Sequence, residues 1–230
     1  MVLVAARNPL NIGAAARAMS NFGFSSLRVV NPFDVAFREA KSAVGAASLL
    51  ASAAEHKTVA DAVADCSLVV GTTAARNREL RQPLHALAAG ARLIRDHLAS
   101  GRVALLFGSE KRGLSNEDLS HCDWLLRIPT REDHPSMNLG QAVAVCLYEL
   151  SRQPLPASSA AKTTLSKAGE RERVASLLFA LLRDSGYVKR GGEAAMQEKL
   201  RLLLRRLRME QADAELLLGM LRKIAWKLDR

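Results

Sequence analysis

Short apolar segments alternate with stretches of helical spacing through the first two thirds of the chain. The apolar segments have the length and composition of buried strands, and they are Val2–Ala5, Leu27–Val30, Ser67–Gly71, Arg102–Phe107 and Trp124–Ile128. Helices are predicted between them, over 11–21, 45–56, 59–64 and 84–99, in a short turn through Cys122, and from Asn138 onward. This alternation of strands and helices predicts an α/β fold.

The ends of two predicted helices carry recognisable capping residues. Asn11 is placed to cap the first helix, and Gly23 can take the left-handed position that ends it. Ser115 and Asp118 have the spacing of a capping pair for the short helix through Cys122. These signals fix where the polar loops lie between the strands.

The pattern changes after residue 152. Residues 153–162 are rich in Pro, Ser and Ala, and the sequence beyond them contains only helical patterns, over 172–185, 194–208 and 213–228. We therefore predict a first domain at 1–152, a linker at 153–162, and a small all-helical domain at 163–230. In the second helix, Leu200, Leu203, Leu204 and Leu207 should form the apolar side, surrounded by Arg201, Arg205, Arg206 and Arg208.

A ligand crevice is predicted where two strands of the first domain end. One strand runs into Gly108 and the next into Pro129, and each opens into a small polar loop. In an α/β sheet, such loops form a binding crevice at the carboxyl edge of the strands. We expect a small-molecule cofactor there.

The charge balance points to a polyanionic partner. Lys and Arg number 33 against 23 Asp and Glu, which gives a net charge of +10, and the pI is near 10.1. Residues 163–230 contribute 15 basic and 9 acidic side chains to that excess. A basic helical surface suits a nucleic-acid backbone, although basic side chains alone are also typical of a solvated surface.

Several other classes of site are disfavoured. The segment from Gly108 to Gly113 has the two glycines of a P-loop, but Leu114 stands where that motif requires Lys. No GxGxxG motif follows a strand, and the five histidines show no metal-ligand spacing, so we expect no catalytic metal. The three cysteines are too scattered for a disulfide framework, and no apolar run has membrane-spanning length. A cytoplasmic protein is therefore expected, with no membrane partner.

Three ordered blocks together resemble the SpoU/TrmH family of SPOUT RNA methyltransferases. They are 11–17 (NIGAAAR), 106–117 (LFGSEKRGLSNE), and Ile128-Pro129 followed by 136–139 (SMNL). Each block is weak alone, but their order and spacing are specific. The loop at 72–74 and the basic helical extension are most similar to the TrmJ type within that family. The resemblance covers the first domain closely and the tail more loosely.

The resemblance implies a parallel α/β sheet with a C-terminal trefoil knot, followed by the small all-α extension. It also implies S-adenosylmethionine as the methyl donor, a homodimer, and tRNA as the substrate. In the TrmJ type, the methyl group goes to the ribose 2′-hydroxyl of nucleotide 32 in the anticodon loop, on cytidine or uridine.

The same resemblance assigns roles to residues of the three blocks. The donor pocket would be formed largely through backbone groups of Thr72, Thr73, Ala74, Gly108, Ile128, Ser136, Met137 and Asn138. The RNA side would be held by Asn11, Arg17 and Glu110, and the catalytic residues would be Arg17, Ser136 and Asn138.

The general base is not settled by the resemblance. The family motif places Arg17 against the 2′-hydroxyl, but a free guanidinium has a pKa above about 12 and is a poor base at neutral pH. We expect Arg17 to be essential through positioning and charge stabilisation, while Ser136 could relay the proton. His134 lies in a polar loop and is interpreted as incidental.

Two alternatives stay open. The first is a 2′-O-methyltransferase that acts on ribosomal RNA or at another tRNA position. The second is a non-catalytic RNA-binding protein of the same fold, which would require a degraded pocket, although Arg17, Glu110 and Asn138 are all present.

Overall fold

The computed structural model describes residues 1–32, 45–74, 80–154 and 164–228. Its strands form one seven-stranded sheet in the order β3-β2-β1-β6-β4-β7-β5, and all neighbouring strands are parallel. The strands are β1 (Val2–Val4), β2 (Arg28–Val30), β3 (Ala54–His56), β4 (Leu68–Thr72), β5 (Leu84–Ala86), β6 (Val103–Phe107) and β7 (Trp124–Arg127).

Helices pack around this sheet in the first part of the chain and on one another in the last. They are α1 (Pro9–Asn21), α2 (Ala47–Ala51), α3 (Val59–Val63), α4 (Leu87–Leu98), α5 (Asn116–Ser120), α6 (Leu139–Ser151), α7 (Ala168–Asp184), α8 (Glu193–Arg206) and α9 (Gln211–Leu228). The α/β class and the helical C-terminal part predicted from the sequence are confirmed.

Two edge strands replace parts of predicted helices. The helix expected over 45–56 is only one turn long and gives way to β3, and the helix expected from residue 84 begins at Leu87 because β5 precedes it. His85 in β5 packs edge-on against Trp124 of β7, with ring centroids 5.0 Å apart. Strands of three residues are too short to show a period of two, so tertiary pairing rather than local pattern decides them.

The parallel register brings three strand ends to one edge of the sheet. Val70 of β4 lies opposite Leu105 of β6, and Gly71 lies opposite Leu125 of β7. The loops that follow β4, β6 and β7 therefore leave the sheet side by side, as the carboxyl-edge crevice requires.

Helix α1 begins earlier than predicted. Asn8, rather than Asn11, is its N-cap: the Asn8 side chain accepts a hydrogen bond from Leu10 N at 2.9 Å, and Pro9 occupies the first turn. Proline suits that position because its missing N–H would be unpaired there in any case. Asn11 consequently lies within the first turn, and its side chain is available to the crevice. The predicted C-terminal glycine is confirmed, since Gly23 has φ of +76°.

Helices α1 and α6 approach each other closely at Gly140. A Cβ atom added to Gly140 would lie 2.6 Å from the Cβ of Ala14, which is closer than two carbon atoms can pack. The small residues of α1 thus allow close helix packing, and Ile12, Ala15, Ala16 and Met19 on its inner side are fully buried. This contact sets the distance between the first turns of the two helices.

The C-terminal helices have a small core of their own and also dock on the sheet domain. Val174, Ala175, Leu204, Met209 and Leu218 form that core. The start of α7 is tied to the sheet domain by hydrogen bonds from Ala168 N to Cys66 O at 2.8 Å and from Gly169 N to Ala64 O at 3.0 Å. The predicted linker lies mostly outside the described residues, so the domain boundary stays a prediction.

The expected separation of leucines and arginines on α8 is only partly correct. Leu200 and Leu204 are buried, but Leu203 and Leu207 are 40% and 57% exposed, whereas Arg205 is only 7% exposed. Helix α8 is covered on one side by the tail and on another by the sheet domain, where Arg205 Nε donates to Ser120 O at 2.9 Å. A basic side chain therefore faces inward.

The three cysteines form no disulfide, as predicted, and all three are buried. Burial raises the pKa of Cys66 to about 11 and that of Cys146 to about 12, and it also raises the pKa of Cys122. These thiols are therefore poor nucleophiles at neutral pH. Within the described ranges, no helix is long and apolar enough to cross a membrane.

The close contact at Gly140 yields a test with a matched control. We expect Gly140→Ala to lower the free energy of unfolding by about 1–3 kcal/mol, because the new methyl group has no space beside Ala14. Gly219 of α9 has nothing within 4 Å of an added Cβ, so Gly219→Ala should instead raise stability by about 0.5–1 kcal/mol. Urea denaturation measures both, and equal effects of the two changes would contradict the packing described here.

Candidate active site

The loops after β4, β6 and β7 enclose a cavity of about 300 Å³ at the carboxyl edge of the sheet. Seven of the eight residues expected to bind the cofactor line it, namely Thr72, Thr73, Ala74, Gly108, Ile128, Ser136 and Met137. Glu110 lines it as well, whereas Asn138 is not among the lining residues. The structure thus brings together residues that are separated by more than sixty positions in the sequence.

The loop from Gly108 to Gly113 is held in a tight, closed shape. Gly113 N donates to Ser109 O at 2.8 Å, and Gly113 has φ of +67°, which favours glycine. A Cβ on Gly108 would overlap the backbone of Gly113 and Leu114. Both glycines are therefore required by the fold of the loop, which explains the P-loop-like spacing without any phosphate.

The end of β4 and the residue after it are held through the backbone and one hydroxyl group. Thr72 Oγ1 donates to Leu106 O at 2.8 Å, and Thr73 N donates to Leu126 O at 3.0 Å. These bonds tie Thr72 and Thr73, which line the cavity, to β6 and β7.

Asn138 joins the third loop to helix α6. Its Oδ1 accepts hydrogen bonds from Gly140 N at 2.9 Å and from Gln141 N at 3.3 Å, so that it caps the helix. Its Nδ2 donates to Asn11 Oδ1 at 2.7 Å. Because both ends of the amide are engaged, its orientation is set by the network.

The chain of hydrogen bonds continues from Asn11 to Glu110. Asn11 Nδ2 donates to Glu110 Oε1 at 3.1 Å, and the same carboxylate accepts Asn8 N at 3.1 Å and Arg7 N at 3.2 Å. Partial burial raises the pKa of Glu110, but these hydrogen bonds and one from its own backbone outweigh that effect and hold the pKa below its usual value. Glu110 is therefore an ionised acceptor at neutral pH.

Arg17 lies apart from this network. It is exposed on α1, and its Nη1 would lie 3.5 Å from a Cβ on Gly45. Arg17 is six positions after Asn11, which corresponds to about 9 Å along the helix axis and about 240° of rotation around it. The two side chains therefore do not share one face of the helix. Within one chain, Arg17 does not line the cavity.

His134, interpreted above as incidental, points away from the protein surface into solvent. Its side chain is 84% exposed and lies 3.9 Å from the Asp133 carboxylate. It does not line the cavity.

Several lining residues were not expected from the sequence. Phe107, Leu114, Leu126 and Leu139 give the cavity an apolar floor, and Thr130 and Pro135 close one side. Thr130 Oγ1 donates to Pro135 O at 3.2 Å and so holds the β7 loop in a turn. Phe107 and Leu126 lie in strands and Leu139 begins α6, so their apolar pattern signals core; only the tertiary structure shows that they also line the cavity.

A larger cleft of about 1440 Å³ adjoins the cavity across the 109–113 loop. It extends from the end of β1 to helix α8, and its charged lining residues are the basic Arg7, Arg81, Lys111 and Arg112 and the acidic Glu110, Asp118 and Glu198. Lys111 and Arg112 line both spaces. A small cavity beside a larger cleft suits an enzyme that brings a small donor to a large acceptor.

Comparison with known proteins identifies the family. Residues 1–148 match the model of the SpoU rRNA Methylase family. A relative from Sodalis glossinidius, named tRNA (cytidine/uridine-2′-O-)-methyltransferase TrmJ, is 35% identical over 97% of this chain and 90% of its own length.

Two solved structures extend the comparison. The crystal structure of TrmJ from Z. mobilis ZM4 is 32% identical, covers 97% of both chains, and has a TM-score of 0.84. An AdoMet-bound rRNA methyltransferase from Sinorhizobium meliloti is 25% identical over 67% of this chain and 56% of its own, with a TM-score of 0.51. The fold of the SPOUT class is thereby shown, and the chain belongs, as a methyltransferase of the TrmJ type, to the SpoU rRNA methylase family.

Proposed function

We propose that this protein is an S-adenosylmethionine-dependent tRNA methyltransferase that modifies a cytidine or uridine ribose 2′-hydroxyl at nucleotide 32 of the anticodon loop. The observation that carries the proposal is the convergence of three loops on one cavity beside the Asn138–Asn11–Glu110 chain. The relatives that match this chain along nearly its whole length, tail included, are of the TrmJ type. A tRNA-modifying role places the protein in the cytoplasm.

The cavity has the features of a site for S-adenosylmethionine. Its volume of about 300 Å³ lies at the lower end of the range for small-molecule sites, about 300–1000 Å³. Apolar side chains form part of its lining, and Thr73, Ala74 and Ile128 border it. Apolar surface with a few fixed polar groups is the usual composition of such sites. When bound there, the donor would supply an electrophilic methyl group on a sulfonium centre.

The residues of the crevice act chiefly by positioning. Methyl transfer from a sulfonium needs an in-line nucleophile and little acid catalysis, so orientation of the ribose should dominate the rate. Because the Glu110 carboxylate only accepts hydrogen bonds, it fixes the donor-to-acceptor direction of the hydrogen bonds that run from Asn138 through Asn11. Ser136, exposed in the β7 loop, would relay the hydroxyl proton to solvent, accepting it while giving up its own.

The catalytic role of Arg17 requires a second copy of the chain. Leu10, Val145 and Tyr148 are exposed apolar side chains on α1 and α6, the two helices whose first turns carry Asn11 and Asn138. Such a face is suited to a symmetric dimer contact. We infer a homodimer in which Arg17 of one subunit reaches the crevice of the other, where its guanidinium stabilises the developing oxyanion.

The first test is enzymatic. With S-adenosylmethionine and unmodified tRNA, we expect one 2′-O-methyl group per tRNA at nucleotide 32, located by nuclease digestion and mass spectrometry. A tRNA carrying a 2′-deoxyribose at that nucleotide should not react, because the acceptor oxygen is missing. Methylation of ribosomal RNA or of another tRNA nucleotide would favour the first alternative function, and absence of methylation on any RNA would favour the second.

Glu110 offers a test of the hydrogen-bond chain. We expect Glu110→Gln to lower kcat/KM by about tenfold to a hundredfold, because its amide would oppose a donor to the N–H groups of Asn11, Asn8 or Arg7. Glu117→Gln, at an exposed position outside the network, should have little effect. Because hydrogen bonding lowers the pKa of Glu110, the wild-type enzyme should keep this contribution down to and below the usual Glu range near pH 4.3. A loss of activity at higher pH that disappears in Glu110→Gln would contradict this role.

Mixed dimers test whether Arg17 acts across the subunit interface. Arg17→Ala and Asn138→Ala should each be nearly inactive alone. After co-refolding in equal amounts, heterodimers contain one complete site, so activity should return to about a quarter of the wild-type value. No recovery would show that Arg17 serves its own chain, and a monomer in sedimentation would overturn the dimer.

A further inference from the structure

A second cavity, of about 520 Å³, lies between the sheet domain and the C-terminal helices. The sheet domain contributes His85, His97 and Trp124, while the tail contributes Leu165 and helix α8. None of its lining residues borders the cavity beside the three loops, but Arg81, Gln82 and Leu202 also border the larger cleft. The two open spaces are therefore neighbours along the same side of the molecule.

The charged side chains that line this second cavity are strongly unbalanced. Five arginines line it (Arg81, Arg171, Arg205, Arg206 and Arg208), and Asp123 is the sole carboxylate among the lining residues in the described ranges. Arg81 has a second carboxylate near it, since its Nη1 lies 4.0 Å from Glu198, so the imbalance concerns the other four arginines. Arg171 and Arg205 are only 5% and 7% exposed. An uncompensated charge at such depth is unfavourable unless an anion offsets it.

Asp123 cannot satisfy both buried guanidinium groups. Arg171 Nη2 lies 3.4 Å from each Asp123 oxygen, and Arg205 Nη1 lies 3.3 Å from Oδ1. Charge-assisted hydrogen bonds of this kind are usually about 2.7–2.9 Å long. Oδ2 of Asp123 also accepts the backbone N–H of Val69 at 2.7 Å, which uses part of its capacity. The two ion pairs are consequently long and share one acceptor.

Arg171 shows the imbalance most directly. Its Nε is buried and has no hydrogen-bond partner among the residues that the structure describes. Burial lowers the pKa of Arg171, the Asp123 charge opposes that effect, and the neighbouring Arg205 charge adds to it. By comparison, Arg201 in the same interface makes bonds of 2.9–3.1 Å to its own carboxylate, Glu172.

We propose that this cavity is a binding site for a phosphate group, held by the guanidinium groups of Arg171, Arg205, Arg206 and Arg208. A phosphate presents several acceptor oxygens that match the planar fork of arginine, and its charge would complete the compensation that Asp123 begins. Arg206 and Arg208 are exposed, so the site is open to solvent. The phosphate is either part of an RNA backbone, a source that rests on the proposed function, or a free ion.

Thermal unfolding in phosphate and in chloride at equal ionic strength tests the site itself. Phosphate should raise the Tm of the wild-type protein by about 2–4 °C, because it binds the folded state alone. The double variant Arg206→Gln/Arg208→Gln should lose this shift while keeping the buried arginines that support the fold. The control Arg222→Gln/Lys227→Gln removes two exposed charges of α9 and should keep the shift. An equal shift in all three proteins, or none in the wild type, would overturn the proposal.

The salt dependence of tRNA binding identifies the source of the phosphate. If RNA supplies it, the double variant should reduce the slope of log K against log salt by about 1–2, and the control should reduce it less. An unchanged slope together with a phosphate-dependent Tm would assign the site to a free ion. The Tm experiment contains no RNA and no methyl donor, so failure of the proposed methylation would leave its result intact.

Discussion

The crevice depends on the close approach of α1 and α6 at Ala14 and Gly140. Asn11 lies one turn before Ala14, and Asn138 lies two residues before Gly140, so the helix contact brings the two amides to a hydrogen-bond distance of 2.7 Å. A side chain at Gly140 would separate the helices and the amides together. Because interiors are packed as densely as organic crystals, such a contact fixes positions rather than merely permitting them. Packing at a glycine thus determines the geometry of a polar site whose residues are 127 positions apart.

The hydrogen bonds of this chain all run in one direction, with each donor on the side away from Glu110. Glu110 accepts from the backbone at the start of α1 and from Asn11, and Asn11 in turn accepts from Asn138, which caps α6. Three segments that leave different strands are therefore joined through an ionised carboxylate. Charge-assisted hydrogen bonds are the stronger ones, so the anchor of the hydrogen-bond chain lies at the 109–113 loop, which lines both the cavity and the larger cleft. The same loop can position both reacting partners.

Sequence patterns predict the parts of this structure that local chemistry determines. The Ser115–Asp118 capping box, Gly23 and the five central strands follow from residue type and spacing, and the second and third blocks contain most of the cavity lining. Asn8 rather than Asn11 caps α1 because Pro9 is the better first helical residue, a distinction between two asparagines that spacing alone does not make. The edge strands β3 and β5 and the position of Arg17 depend on neighbours distant in sequence, which no local pattern contains.

The roles of the basic side chains in the tail also could not be predicted from the sequence alone. Counted from the sequence, its arginines form one excess, and a solvated surface or a nucleic-acid face explains them equally well. The structure divides them: Arg201 pairs with Glu172, Arg171 and Arg205 turn inward to share Asp123, and Arg206 and Arg208 stay exposed. The two inward arginines attach the tail to the sheet domain and create a positive electrostatic field at the interface. The two exposed arginines extend that field to the solvent. This one cluster of arginines therefore both attaches the tail and attracts an anion. A further carboxylate that offset both buried charges would still secure the interface, but it would cancel the positive field.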